Sequence, residues 1–176
     1  MTQDSLALRL ELLEDRCAIE AALVRYCRGV DRCDEALLKS VYWEDSVDDH
    51  GSFVGPGWAF AAALMPALSG MKGTMHAISN IHIELMGDWA RAETYCVAYH
   101  LLPAAGQDRE MVVGGRYLDR FEKRSGEWRI KHRLYVMDWN QNGPSTAIWD
   151  EGLFAQLKMR GGRGTADPWA TAEHLR

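Results

Sequence analysis

The chain lacks most of the features that assign a protein to a class by motif. Its four cysteines, Cys17, Cys27, Cys33 and Cys96, form neither a CxxC pair nor a clustered framework, so they read as reduced thiols. Basic residues bunch only at Lys123-Arg124 and Arg129-Ile130-Lys131-His132-Arg133. With a net charge of −5 and a pI near 5.7, the clustered cations that phosphate recognition needs are missing, and no nucleic-acid partner is expected. No apolar run reaches the ~20 residues of a membrane span, so no membrane partner is expected. Residues 2 to 15 carry Asp4, Glu11, Glu14 and Asp15, which argues against a signal peptide. A soluble, cytoplasmic protein is the expectation. HExxH, a GxSxG elbow and a glycine-rich phosphate loop are all missing, and His76, His82 and His100 have no metal-ligand spacing. No metal and no cofactor is expected.

What is present is ordinary globular composition, 47% hydrophobic and 26% charged, in 176 residues. That is enough chain to bury one real core. Residues 5 to about 29 read as a helix, because Leu12, Leu13, Ile19, Leu23, Tyr26, Cys27 and Val30 recur at steps of three and four. Asp4 or Ser5 is a suitable cap, and Gly29 a suitable left-handed stop. A shorter helix follows, capped by Asp34 and carrying Leu37, Leu38, Val41 and Tyr42. A strand over 46 to 53 puts Asp48 and His50 on one face. Gly55-Pro56-Gly57 opens a third helix with Trp58, Ala61, Ala62, Leu64 and Met65, which Pro66 and Gly70 disrupt.

Beyond that point the period becomes two. Strands are expected over 75 to 86, 89 to 102, 109 to 123 and 127 to 139, joined by Gly87-Asp88, a loop at 103 to 108, and Ser125-Gly126. A last short helix is expected over 149 to 158, and 160 to 164 reads as a flexible tail. Three helices before a long antiparallel meander make an α+β plan, with a curved sheet wrapping the helices as a cone. The division expected is a domain over residues 1 to 145 and an extension over 146 to 176.

Asp31, at the end of the first helix, and His76, at the start of a strand, are the chemically useful pair. Histidine suits general-base work near neutral pH, and a carboxylate fixes its tautomer. The residues alone equally allow Asp31 to cap the next turn and His76 to be a satisfied strand residue. His100 ends a row of small side chains, Ala90, Ala92, Thr94, Cys96 and Ala98, that suits either a pocket floor or a seat for a helix. Tyr26 lies five residues before Asp31, about 140° away around an ideal helix, so the two share a site only if the helix breaks near Gly29. Simple alternation puts Arg133 on the outer face with Arg129, Lys131 and Tyr135. Asp48 and His50 make a second polar pair at the cavity mouth, on a strand or loop more readily solvated than enclosed. Trp58, Phe60, Leu64 and Met65 are candidate wall residues.

Several short motifs, in order, resemble the SnoaL-like branch of the nuclear-transport-factor-2-like (NTF2-like) superfamily. They are Asp15-Arg16-Cys17-Ala18-Ile19, Arg25-Tyr26 through Asp31, Trp43-Glu44-Asp45, Met75-His76 with Asn80, and Asp119-Arg120-Phe121-Glu122 through Trp128-Arg129-Ile130. Together they span roughly residues 10 to 140. The resemblance implies an NTF2-like cone with an internal ligand pocket. Within the superfamily the sequence is most similar to scytalone dehydratase, bile-acid 7α-dehydratase and hexachlorocyclohexane dehydrochlorinase, cofactor-free lyases that use a His–Asp pair. Asp31 and His76 match that pair. Tyr26 matches a position that is tyrosine in one of these lyases and lysine in another, Arg133 matches a site arginine, and His100 lies near a second-acid position.

The implied function is a cofactor-independent elimination on a small, hydrophobic, cyclic substrate. His76 acts as base, Asp31 orients it, and Tyr26, His100 and Arg133 help the leaving group. A ketosteroid-type isomerase or cyclase, and a non-catalytic binding or accessory subunit, are the alternatives that the superfamily leaves open. A homo-oligomer, trimer or dimer, is expected, with residues 149 to 157 closing the cavity mouth or making a subunit contact.

Overall fold

The computed structural model describes residues 3–172. The first helix, α1 (Gln3–Asp31), starts earlier and ends later than its apolar repeat suggests. Ser5 therefore lies inside the helix instead of capping it, and the side chain of Asp4 lies outside the described residues. Leu12 and Leu13 are exposed, because α1 meets the core only from Asp15 onward, and Ile19, Ala22, Leu23, Tyr26 and Val30 form the buried stripe. Gly29 does not stop the helix. The left-handed residue is Cys33, at φ 52°. Its N–H reaches the Val30 carbonyl and the Asp34 N–H reaches the Gly29 carbonyl, at 3.2 and 2.8 Å, which is a Schellman ending. Gly29 is small for another reason: a Cβ there would lie 2.9 Å from the backbone nitrogen of Leu38 in α2 (Glu35–Ser40). Asp34 caps α2 as expected, accepting from the Leu37 N–H at 2.9 Å.

Strand β1 (Tyr42–Asp49) begins four residues earlier than its alternation predicts and turns at Gly51, φ 74°, into the short β2 (Val54–Pro56). Helix α3 (Gly57–Ser69) follows, with Pro66 inside its last turns. The four long strands are β3 (Gly73–Leu85), β4 (Trp89–Leu102), β5 (Arg109–Arg124) and β6 (Glu127–Pro144). Their joints fall where the turn residues place them, with Gly87, Ser125 and Gly126 all at positive φ. The sheet order is β2-β1-β6-β5-β4-β3. All pairings are antiparallel except β1 with β6, which is parallel and which local pattern does not reveal.

Bulges in the antiparallel strands bend this sheet around the helices. One in β3 sits at Asn80, φ 48°, and two in β6 fall at Lys131 and Asp138. The result is the α+β NTF2-like cone, with α1 and α3 against the concave face. The expected helix over 149 to 158 is only a 3-10 turn, Phe154–Gln156, and a second such turn and a short helix, α4 (Pro168–Thr171), follow.

The segment that reads as a flexible tail is tied to the domain. Arg32 pairs with Asp167 at 3.1 Å, and the Gly164 N–H donates to the Arg32 carbonyl at 3.0 Å. Arg163 donates to the carbonyls of Leu68 and Met71 at the end of α3.

Candidate functional site

The Schellman ending leaves Asp31 as the last helical residue, with its carboxylate facing the start of β3. There it accepts twice from His76. The backbone N–H donates to Oδ2 at 2.8 Å and ring Nδ1 lies 2.7 Å from Oδ1. This second bond sets Nδ1 as the protonated nitrogen and leaves the Nε2 lone pair for the cavity. Burial pushes the Asp31 carboxyl up, but its bonds to His76 prevail and hold it below the usual carboxylate range.

His76 opens into a cavity of about 170 Å³ between α1, α3 and the sheet. Tyr26, Val30, His50, Phe60, Leu64, Leu68, Met71, Ala98, His100, Val113, Tyr117 and Tyr135 complete its lining. Tyr26 thus reaches the same cavity as His76 with no break at Gly29. Asp31 acts from behind the imidazole, so the two side chains need not share a helix face. The Tyr26 phenol is raised above its ordinary pKa by burial, against the opposing pull of Arg133, and stays a neutral hydroxyl.

His100 lies where the small-residue face of β4 ends, its ring 5.5 Å from that of His76 in an edge-on contact. Its Nδ1 is 3.3 Å from the Met111 carbonyl. Burial, and then the neighbouring His76, lower its pKa, which favours the neutral ring.

Arg133 does not follow simple alternation. The bulge at Lys131 turns the strand by one residue, so His132 points out and Arg133 points in, fully buried. Its guanidinium bonds both oxygens of Asp119 at 2.7 Å and lies 4.1 and 4.0 Å over the rings of Tyr26 and Tyr117. Burial penalises that cation, but Asp119 outweighs the penalty and raises its pKa well above the usual value. Arg133 backs the cavity wall and does not line it.

The pair expected at a solvated mouth is enclosed. Asp48 is fully buried, accepting from the Tyr42 hydroxyl at 2.6 Å and standing 2.5 Å from His50 Nδ1. His50 lines the cavity, stacked between Phe60 at 4.5 Å and Tyr135 at 5.3 Å, with Nε2 3.4 Å from the Tyr26 hydroxyl. The alternation of Asp48 and His50 was the available clue, but their polarity argued for solvent. Of the expected wall, Phe60 and Leu64 line the cavity and Met65 packs beside it. Trp58 sits at the surface, donating to the carbonyls of Lys39 and Tyr42. Tyr117, Tyr135, Leu68 and Met71 are lining residues that sequence reasoning did not single out.

A wider groove of about 430 Å³ runs along the C-terminal extension, lined by Ile148, Trp149, Phe154 and Leu157, and offers no group able to take a proton from carbon. Among the described residues, no three His, Cys, Asp or Glu side chains are grouped to hold a metal ion. No described helix is long and apolar enough to cross a membrane.

The SnoaL-like domain family matches residues 11–134. The chain belongs to this family. Solved structures agree in fold. One is a hexachlorocyclohexane dehydrochlorinase from Novosphingobium barchaimii, 22% identical, covering 80% of this chain and 96% of its own, with a TM-score of 0.69. Another, provisionally assigned as a scytalone dehydratase, comes from Novosphingobium aromaticivorans, at 22% identity, 74% and 89% coverage, and a TM-score of 0.67. An NTF2-like protein from the same organism is 26% identical, with 78% and 90% coverage and a TM-score of 0.66. No curated protein matches the sequence. At these identities the likeness is one of fold.

Proposed function

We propose that this SnoaL-like protein is a cofactor-independent lyase of the dehydratase type, acting on a small, hydrophobic, cyclic substrate. One observation carries the reading: a single carboxylate, Asp31, holds both the ring and the backbone N–H of His76 at the wall of a largely apolar cavity. His76 Nε2 takes a proton from a substrate carbon, and Asp31 stabilises the imidazolium that forms. Tyr26 stands ready as a neutral donor to a departing or developing oxygen.

The cavity bounds the substrate. A void of about 150 Å³ holds a benzene-sized guest. At about 170 Å³, this one has room for a single ring. Self-association through the outer face of the sheet, where Tyr95, Val97 and Trp139 are exposed, is part of the same proposal and is read by light scattering.

The test is turnover on single-ring β-hydroxyketones and halogenated rings, followed by mass spectrometry, with wild type and His76→Gln side by side. A product lighter by water or hydrogen halide, lost in the variant while its circular dichroism is unchanged, supports the lyase. A product of unchanged mass supports an isomerase. Binding without conversion would overturn the catalytic reading.

A further inference from the structure

The cavity holds a second histidine–carboxylate pair with the design of the first. His50 Nδ1 faces Asp48 as His76 Nδ1 faces Asp31, and both rings present Nε2 toward the same cavity. The second pair is the more deeply set. Asp48 has no exposure and its other oxygen is taken by Tyr42, while Arg133, opposite it on β6, gives Nε and Nη2 to Asp119 and leaves Nη1 without a bond among the described residues. His50 is the ring that Asp48 holds. The ring is clamped by Phe60 and Tyr135, so its Nε2 is aimed and not free to swing. In front of that nitrogen stands the Tyr26 hydroxyl, itself on the cavity wall.

An elimination that expels hydroxide needs an acid as well as a base, because hydroxide is a poor leaving group until it is protonated. His100 does not supply that acid. Its Nδ1–H is directed at the Met111 carbonyl, which leaves Nε2 a lone pair, and burial favours the uncharged ring. Tyr26 alone, buried beside the aromatic cluster, resists ionising.

We infer that His50 is the general acid of this site, passing its Nε2 proton through the Tyr26 hydroxyl to the leaving oxygen, with Asp48 and Tyr42 as positioning residues. The inference rests on the lyase reading. His76 Nε2 takes the proton from carbon, the C–H electrons become the new C=C bond, and the C–O bond breaks. The departing oxygen takes the Tyr26 proton, and Tyr26 takes the Nε2 proton of His50. Water and an alkene leave, His76 has gained one proton and His50 has lost one, and exchange with solvent resets both.

The experiment uses two probes that differ only in the need for an acid: 3-hydroxycyclohexanone, which must lose water, and 3-chlorocyclohexanone, which loses chloride without protonation. Formation of the enone is followed by absorbance, corrected for the uncatalysed rate. His50→Gln, Tyr26→Phe and Asp48→Asn should each slow loss of water at least about 100-fold more than loss of chloride. His76→Gln should slow both alike. Equal losses on both probes in the His50 variant, or no loss on either, would overturn the assignment. Chloride loss that survives His76→Gln sinks the lyase reading instead, as does a wild-type protein silent on both probes. A substrate-free measurement keeps the dyad itself testable. In ¹⁵N-histidine-labelled protein, two downfield ring N–H protons are expected, one abolished by Asp48→Asn and the other by Asp31→Asn. A spectrum without a carboxylate-bonded His50 N–H would overturn the dyad whatever the probes do.

Discussion

Asp31 grips His76 at two points, the ring nitrogen and the backbone amide of the same residue, so one carboxylate sets both the tautomer and the position of the strand that carries it. Removing the charge and removing the side chain therefore have different consequences. Asp31→Asn should keep the fold and lower turnover by about 10²–10⁴-fold, the usual worth of an oriented base. Asp31→Ala should in addition strip the His76 N–H of its acceptor and cost about 1–3 kcal/mol of stability. Steady-state kinetics and urea denaturation on the two variants separate these effects.

Acid should weaken the fold before it reaches the carboxylates. The His100 pKa is lowered from 6.5 by burial and by His76. The folded chain binds that proton less readily than the unfolded one, so this contribution is complete above pH 6.5 and is lost as the pH falls through the folded value. Urea midpoints should drop on acidification below that pH, and His100→Gln should flatten the drop. A second loss, from Asp31, belongs below its ordinary value of 3.8, because that carboxyl is held down in the folded state.

Arg133 and Asp119 form an ion pair with no exposed side-chain surface. Arg133→Met leaves a buried carboxylate without its cation and should destabilise the protein by about 3–5 kcal/mol. Adding Asp119→Leu should recover part of that loss, in a double-mutant cycle read by chemical denaturation.

Gly29→Ala tests whether the residue is small for packing or for helix termination. Alanine is the better helix former by about 1 kcal/mol, but its Cβ would stand 2.9 Å from a backbone atom of Leu38 that cannot swing aside. Overpacking of this kind costs about 1–3 kcal/mol, so a lower melting temperature is expected. A higher one would mean that α2 yields.

The parts of this architecture that depend on local pattern were legible. β4 alternates small inward residues with larger outward ones and was bounded correctly at Trp89 and Leu102, and Ser125-Gly126 announced its hairpin. The parts that depend on distant pairing or on a one-residue slip were not. The parallel contact of β1 with β6 joins segments some ninety residues apart. The bulge at Lys131 reverses which side of β6 faces inward, which hid Arg133 and Tyr135 from an alternation argument. Asp48 and His50 read as a pair from the sequence, but their polarity points to solvent, because their burial depends on each other and on Tyr42 and no single residue reveals that. Of the candidate site, Tyr26, His76, His100, His50, Phe60 and Leu64 meet at one cavity, whereas Trp58, Asp48, Met65 and Arg133 stand outside or behind it.

The bonds from the last thirty residues to Arg32, Leu68 and Met71 give the chain's end a say in its centre. Arg32 adjoins Asp31, which holds His76, and Leu68 and Met71 line the cavity. Detaching this segment would free the Arg32 side through Asp167 and the Leu68–Met71 side through Arg163, loosening two walls of the cavity while the sheet itself stayed paired.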